Sequence, residues 1–408
     1  MELTGLLPLV RSLTGYRRLR AAVGPFGQAV PDGRAVVLEE AKAPFLAALA
    51  QDMGVPLLMV TARPGRASML AEQFQSWLGP LAPVYFLPEP DVLPYERLSP
   101  AARIVQERLR VLHALSSLPA EGAFSPVIVG PIGALITRTI APAAFAKSTI
   151  TLVQGGRFTW ERVAAQWLQM GYQRVTTVEQ PGQFARRGGV IDCYPPHLDE
   201  PFRLDLFGDE IESIRLFDPG SQRSTRLLQK VTVVPARELL GPPWAPAVPQ
   251  LQLQECSPDV RASFARDMER LARGESVEPS WFYAPLFNAS SAVDFLPPGA
   301  LVVMDEPQDA QRAVEELQAQ AQELRSGVLD SKELPPDYPD PLLCWSEVRE
   351  RSRAKHRYLN VLRWGGEGEE DLGFAPVLGY AGRLRMLLSD IRQRVGAGER
   401  VVLVSLQS

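Results

Sequence analysis

Cysteine and histidine are scarce. Three cysteines (Cys193, Cys256, Cys344) stand far apart in 408 residues. An odd number at such spacings gives neither a disulfide framework nor a CxxC metal pair, and a reducing compartment suits it. The three histidines (His113, His197, His356) are too scattered to form a zinc site, so no metal is expected. No apolar run approaches the roughly 20 residues that span a bilayer, and the opening "MELTGLLPLVRSL" lacks a basic start and a cleavage site. A cytoplasmic protein without membrane contact is expected. An excess of positive charge is missing too. The formal charge is -4, so nucleic acid is not coated by bulk electrostatics and any contact with it must be local.

Hydrophobic residues make up 46% and charged residues 22% of the chain, ordinary values for a globular protein, and the length favours several domains. From 34 to 140, strand-like runs ("RAVVLEEA", "VPLLMVTA", "APVYFLPEP", "SPVIVGPIGAL") alternate with helical ones ("APFLAALAQDM", "RASMLAEQFQSWL", "AARIVQERLRVLHAL"). This is an α/β pattern with a mainly parallel sheet covered on both faces. Near 150 the character changes. One helix, "TWERVAAQWLQMGY", is followed by strands up to about 235, which reads as a separate α+β unit. Within it, "FRLDLFGDEIESIRLFD" alternates Phe202, Leu204 and Leu206 with Arg203, Asp205 and Phe207, then turns at Gly208 and Asp209: a hairpin with one buried face. "GALVVMDEP" returns to the first core, and "LPPDYPDPLL" is a linker by its prolines. A new unit is expected from 342, and the closing apolar run "ERVVLVSLQS" suggests the N-terminal portion of a longer protein.

A phosphate-binding loop needs GxxxxGK[ST]. The first strand-to-helix junction reads "VVLEEAKAPFLAAL" instead. Glu39 and Glu40 repel phosphate, Ala43 replaces the hydroxyl that should follow Lys42, and no glycine allows the wrap. Asp305 and Glu306, at the end of "LVVMDEP", look like the acidic pair of a motor. Without the loop they read as structural or vestigial, part of a degenerate nucleotide site. No catalytic arrangement stands out.

The stretch "QFARRGGVID" sets Arg186 and Arg187 beside Gly188 and Gly189. The glycines supply a turn, and Phe184 reads as core. From spacing alone, the arginines are a device that blunts an open sheet edge. The basic run "RERSRAKHR" (349–357) reads as a solvated helix face.

Four segments together, "FLPEPDVLPYERLSPAARIVQERLRVLHAL", "QPGQFARRGGVIDCYPP", "PFRLDLFGDEIESIRLFDPGSQRS" and "LPPGALVVMDEP", resemble the N-terminal half of the bacterial transcription-repair coupling factors, over roughly 30 to 310. The related first domains of the excision nuclease B subunit (UvrB) keep an intact P-loop, which "LEEAKAPFL" lacks. A UvrB-like subunit with its own ATP site is the alternative. The resemblance implies a degenerate helicase-like α/β domain (1–140 and 231–325), interrupted by an inserted α+β domain (141–230) that binds the excision nuclease A subunit (UvrA). A linker (326–341) and part of a further α/β domain (342–408) follow. ATP, magnesium, RNA polymerase and double-stranded DNA would be engaged by other domains of the family, with no cofactor and no catalysis in this segment. The resemblance further implies that Arg174 and Arg187, with Arg186 beside them, form one docking surface for UvrA.

Overall fold

A computed structural model describes residues 2–23, 33–117, 124–241, 244, 249–275, 277–364, 370–377, 379–380 and 382–403. Four strands come first: Gly33–Val36 (β1), Leu57–Thr61 (β2), Val84–Phe86 (β3) and Val127–Pro131 (β4). Eight more follow: Ile150–Val153 (β5), Gln173–Arg174 (β6), Gln183–Arg187 (β7), Val190–Cys193 (β8), Phe202–Phe207 (β9), Glu210–Phe217 (β10), Ser224–Leu228 (β11) and Lys230–Val233 (β12). The chain then adds Leu301–Asp305 (β13), Arg357–Leu362 (β14) and Glu370–Asp371 (β15).

The first sheet has the order β15-β1-β14-β13-β2-β4-β3, and every pairing in it is parallel. Its central strands β2, β4 and β13 are buried at every position, as parallel strands covered on both faces must be. One face packs Leu58, Ile128 and Val302 against Leu109, Leu112 and Ile132. The other packs Met59, Val129 and Val303 against Phe45, Leu49, Leu70 and Phe74. The helix Lys42–Met53 is buried along most of its length and stops at Gly54, whose φ of +62° needs a residue without Cβ. Among the described residues, no helix is long and apolar enough to cross a membrane.

The second sheet has the order β11-β10-β9-β8-β7-β6 and is antiparallel except for the parallel β6–β7 pair. The helix Trp160–Gln169 covers one of its faces, where Trp167, Phe184, Ile191, Phe202, Leu204 and Ile214 form the core. The chain enters and leaves this unit through the antiparallel pair β5–β12.

Four of the expected boundaries move. The helix Pro142–Ser148 places Phe145 in the first core, whereas Val231 and Val233 belong to the inserted core, so the unit begins and ends later than 141 and 230. The helix Pro307–Asp330 runs beyond 325, and the proline-rich stretch after it is packed rather than free: Leu334 and Tyr338 are buried against Phe264 and Phe282. The unit expected from 342 contributes β14, which lies between β1 and β13 in the first sheet. Residues 342–362 therefore complete that core. Of the strand expected at the chain end, 399–403 take no strand conformation and 404–408 lie outside the described residues.

The helix Ala102–Ser116 holds both the chain that returns to the core after β12 and the inserted unit. Arg108, on the helix Ala102–Ser116, is fully buried and donates from Nε and Nη2 to the two carboxylate oxygens of Glu238, at 2.6 and 3.1 Å, and from Nη1 to the Pro88 carbonyl. On the same helix, His113 packs its ring 4.2 Å from that of His197, in the loop after β8, beside the Arg110–Asp199 ion pair. Burial holds both imidazoles below their ordinary pKa, His197 down to about 3.

Candidate functional site

Two charged clusters bear on function. The first lies where β1 and β13 end in the core. The chain leaves β1, makes a single 3-10 turn at Glu39–Ala41 and enters the helix Lys42–Met53. Lys42 is fully buried, and its Nζ donates to Asp305 Oδ1 at 2.5 Å and Glu306 Oε1 at 2.8 Å, with Glu39 Oε2 at 3.4 Å. An ammonium has three N–H donors, and three carboxylates surround this one. Arg66 Nε donates to the other Asp305 oxygen at 2.9 Å, and its guanidinium also pairs with Glu39. Arg363 approaches Glu306 through both backbone N–H and guanidinium. Glu306 takes a φ of +48°, an uncommon conformation for a residue with a side chain, and its bonds to Lys42 and Arg363 hold it there. Three acids thus face three bases, and the lysine that would grip phosphate is enclosed by carboxylates. Four of the five residues read as a degenerate nucleotide site meet here; Glu40 is exposed and takes no part in these bonds.

The second cluster is on the inserted sheet. Arg187, Gly188, Gly189 and Val190 form a two-residue hairpin in which Arg187 pairs with Val190, and Gly188 supplies a φ of +62°. Side chains alternate along β7, so Phe184 and Arg186 face the helix-covered side while Ala185 and Arg187 face the other. The parallel register sets Arg174 opposite Phe184. Accordingly, the Arg174 and Arg186 guanidiniums lie 5.6 and 5.1 Å from the Trp160 ring centre, on the helix side. Arg174 also borders a groove of about 1380 Å³ between the inserted unit and the core.

Arg187 lies on the opposite face. The expectation that Arg174 and Arg187 share one face is therefore corrected: the register of a two-residue strand separates them. Phe184 is fully buried in the inserted core.

The face that carries Arg187 has no helix over it. Across the strands, one rung reads Leu227, Arg215, Arg203, Asp192, Ala185, and the next reads Ser213, Asp205, Val190, Arg187. Asp192 is buried and accepts from Arg203 Nε and Nη2 at 2.6 and 2.9 Å and from Arg187 Nη2 at 2.9 Å. The bonds to Asp192 hold the Arg203 guanidinium above its usual range. Asp205 accepts from Ser213 Oγ at 2.5 Å and from Arg215. At one end Val178, Ala185, Tyr194 and Phe217 form a small apolar cluster, with Arg203 over the Phe217 ring. Arg203 keeps 16% of its side chain exposed and also donates from Nη1 to the Gln222 carbonyl, whereas Arg187 exposes 53% of its side chain. The alternation of Arg203 and Asp205 with buried leucines was visible in sequence; their meeting with Arg187 was not, because it depends on cross-strand register.

In the basic run, the helix Trp345–Arg353 buries Trp345, Val348 and Ser352, and Arg351, Arg353 and Lys355 are exposed. No group of three or more His, Cys, Asp or Glu among the described residues could hold a metal ion.

Comparison with known proteins places both clusters in a family. The family model described as the UvrB interaction domain matches residues 150–239, which contain the whole inserted sheet. The transcription-repair-coupling factor of Bacillus subtilis (strain 168) is 27% identical over 339 residues, covering 79% of this chain and 28% of that protein. That of Myxococcus xanthus is 37% identical over 228 residues, 53% of this chain and 19% of the relative. The Escherichia coli (strain K12) protein is 27% identical over 196 residues, 48% of this chain and 16% of the relative. The chain spans less than a third of the length of these curated relatives. An inserted sheet that matches the UvrB interaction domain, set in an α/β core aligned with these relatives, makes the chain similar to the N-terminal region of the transcription-repair-coupling factors.

Proposed function

We propose that this segment is the recruitment arm of a transcription-repair coupling factor, and that its inserted sheet docks the excision nuclease A subunit, UvrA. The observation that carries this reading is the half-exposed Arg187, held by the buried Asp192 that also fixes the largely buried Arg203, within the residues that match the UvrB interaction domain. Guanidiniums present planar forks suited to carboxylates and are enriched among residues that dominate binding energy. Those on this face are held in place by Asp192 and Asp205, so little side-chain freedom is lost on docking. Arg174 and Arg186, on the far side of the short edge strand β6, act as rim contacts for a partner that reaches round that edge.

The core supplies a scaffold and no catalysis. Its helicase-like descent and its loss of nucleotide binding are part of the proposal, supported by the enclosure of Lys42 among Asp305, Glu306 and Glu39. The whole protein, on this reading, acts on stalled RNA polymerase and DNA through ATP- and magnesium-dependent domains outside this segment. A UvrB-like subunit with its own ATP site is disfavoured by the same lysine.

The test is surface-plasmon measurement of UvrA binding to the immobilised chain. Replacement of Arg187 by alanine, which leaves Asp192 paired with Arg203, is expected to weaken binding by about 30-fold, the scale of an interface hot spot. Affinity equal to the parent's would remove this face from the proposal. Equilibrium dialysis against ATP should show no retention.

A further inference from the structure

Two large apolar side chains stand on the open face beside the charged rungs, and the fold itself gives them no cover. Phe207, at the end of β9, is 80% exposed, and Leu227, on the edge strand β11, is 70% exposed. Alternation places Phe207 on the side of Arg203 and Asp205, and the pairing of Leu227 with Arg215 places it on the same side. Phe207 lies four residues beyond Arg203, about 13 Å at the usual rise of a strand. Arg203 and Arg215 lie between the two apolar corners, and Arg187 lies beyond Arg203, on the side away from Leu227.

Phe207 is also rigidly mounted. It pairs with Glu210 across the two-residue turn Gly208–Asp209, and Gly208 has a φ of +64°. A neighbouring segment braces that turn: Phe158 N–H donates to the Asp209 carbonyl at 2.7 Å, Gly155 N–H to the Ile211 carbonyl at 2.8 Å, and Ile211 N–H to the Gly156 carbonyl at 2.9 Å. An exposed aromatic ring on a braced hairpin is pre-organised for insertion, because docking freezes little beyond the ring itself.

The charges define what surrounds the recess that takes it. The two rungs hold three guanidiniums (Arg187, Arg203, Arg215) and two carboxylates (Asp192, Asp205), and both carboxylates already accept bonds from the guanidiniums. On these two rungs the balance left for a partner is positive, and Glu210, opposite Phe207, adds one exposed carboxylate beside the ring.

We propose that Phe207 is the apolar anchor of the docking face, inserting into an apolar recess on a protein partner rimmed by acidic side chains, with Leu227 sealing the opposite corner. This rests on the reading of the open face as the UvrA-docking surface and adds the residue that governs residence time. Charged rungs steer the encounter and a buried aromatic slows departure, so the two contributions separate kinetically.

The experiment follows UvrA association and dissociation on the immobilised chain at two salt concentrations, for the parent, Phe207→Ser, Phe207→Leu and Arg187→Ala. A thermal melt of each variant checks folding. Phe207→Ser is expected to raise the dissociation rate about tenfold or more, to leave the association rate and its salt dependence unchanged, and to melt like the parent; Phe207→Leu should fall between them. An unchanged dissociation rate in Phe207→Ser, with binding weakened in Arg187→Ala, would overturn the anchor and leave the docking face standing. Failure of the parent chain to bind UvrA would overturn both.

Discussion

The core cluster at Lys42 and the inserted cluster at Arg187 are built from the same chemistry, basic side chains held against carboxylates, yet they are opposite in state. In the core, three acids meet three bases around Lys42, which has no exposed surface, while Arg363 stands half exposed at the rim. On the inserted sheet, three guanidiniums meet two carboxylates and Arg187 keeps half its side chain in solvent. A buried, balanced network can hold a fold together but offers no donor to a newcomer. An exposed network with charge left over costs little to keep and has donors in reserve. On the proposed reading, the difference separates a relic of phosphate chemistry from a surface fit for recognition.

Breaking the closed cluster should have the largest effect. Asp305→Ala leaves Lys42 and Arg66 short of a carboxylate in a buried site, and the expected loss is about 3–5 kcal/mol of unfolding free energy, read from urea denaturation. The loss of less than about 1 kcal/mol usual for exposed pairs would show that the two clusters are energetically alike and that the contrast is false.

Acid should act next, at the junction between the two regions. Neither cluster contains a histidine, so a pH slope reports the packing that joins or flanks them. Burial depresses His197 to about 3 and His356 to about 4, from an ordinary 6.5. A histidine whose folded pKa is lowered binds its proton more readily in the unfolded chain. Stability is therefore full above pH 6.5 and falls as pH drops from there toward the folded values. Between pH 7 and pH 5 the expected loss is on the order of 1–2 kcal/mol for each of these histidines. His197→Leu should flatten the slope in chemical denaturation, and a slope unchanged in that variant would remove the junction from the account.

A further test contrasts binding with stability. Arg187→Ala should lower UvrA affinity by about 2 kcal/mol, roughly 30-fold, while leaving the melting temperature within about 2 °C. Arg174→Ala, on the other face, should cost less binding than Arg187→Ala; the reverse order in a calorimetric titration would move the docking surface to the helix side. The smallest effect sharpens the picture of what is closed and what is open. Cys193 and Cys256 are buried, and burial pushes their thiols up, whereas Cys344 is exposed and its bond to Ser346 Oγ lowers its pKa. Iodoacetamide should label Cys344 alone in the folded chain, without changing binding.

Much of this was legible in the sequence. Apolar runs such as "LLMVT" and "VIVGP" mark strands buried on both faces, and the alternation Phe202, Arg203, Leu204, Asp205 marks a strand with one face buried. Glu39, Lys42, Asp305 and Glu306 of the core cluster could be named from the missing glycines and the acidic pair, whereas Arg66 and Arg363 could not. That Lys42 and Asp305, 263 positions apart, bond directly could not. Local pattern also could not assign β14, because a parallel strand gains its place from partners distant in the chain, here β1 and β13. The separation of Arg174 from Arg187 has the same origin. A two-residue strand carries no pattern of its own, and only its register against Phe184 decides where its side chains point.

Hydrogen–deuterium exchange of the 408-residue chain, with and without UvrA, tests the central claim most directly. The account predicts protection in the strands of the open face, at 187–192, 203–207 and 213–215, and none at 39–42 or 305–306. Protection confined to the core cluster, or to the helix Trp160–Gln169 with the open strands unchanged, would contradict it.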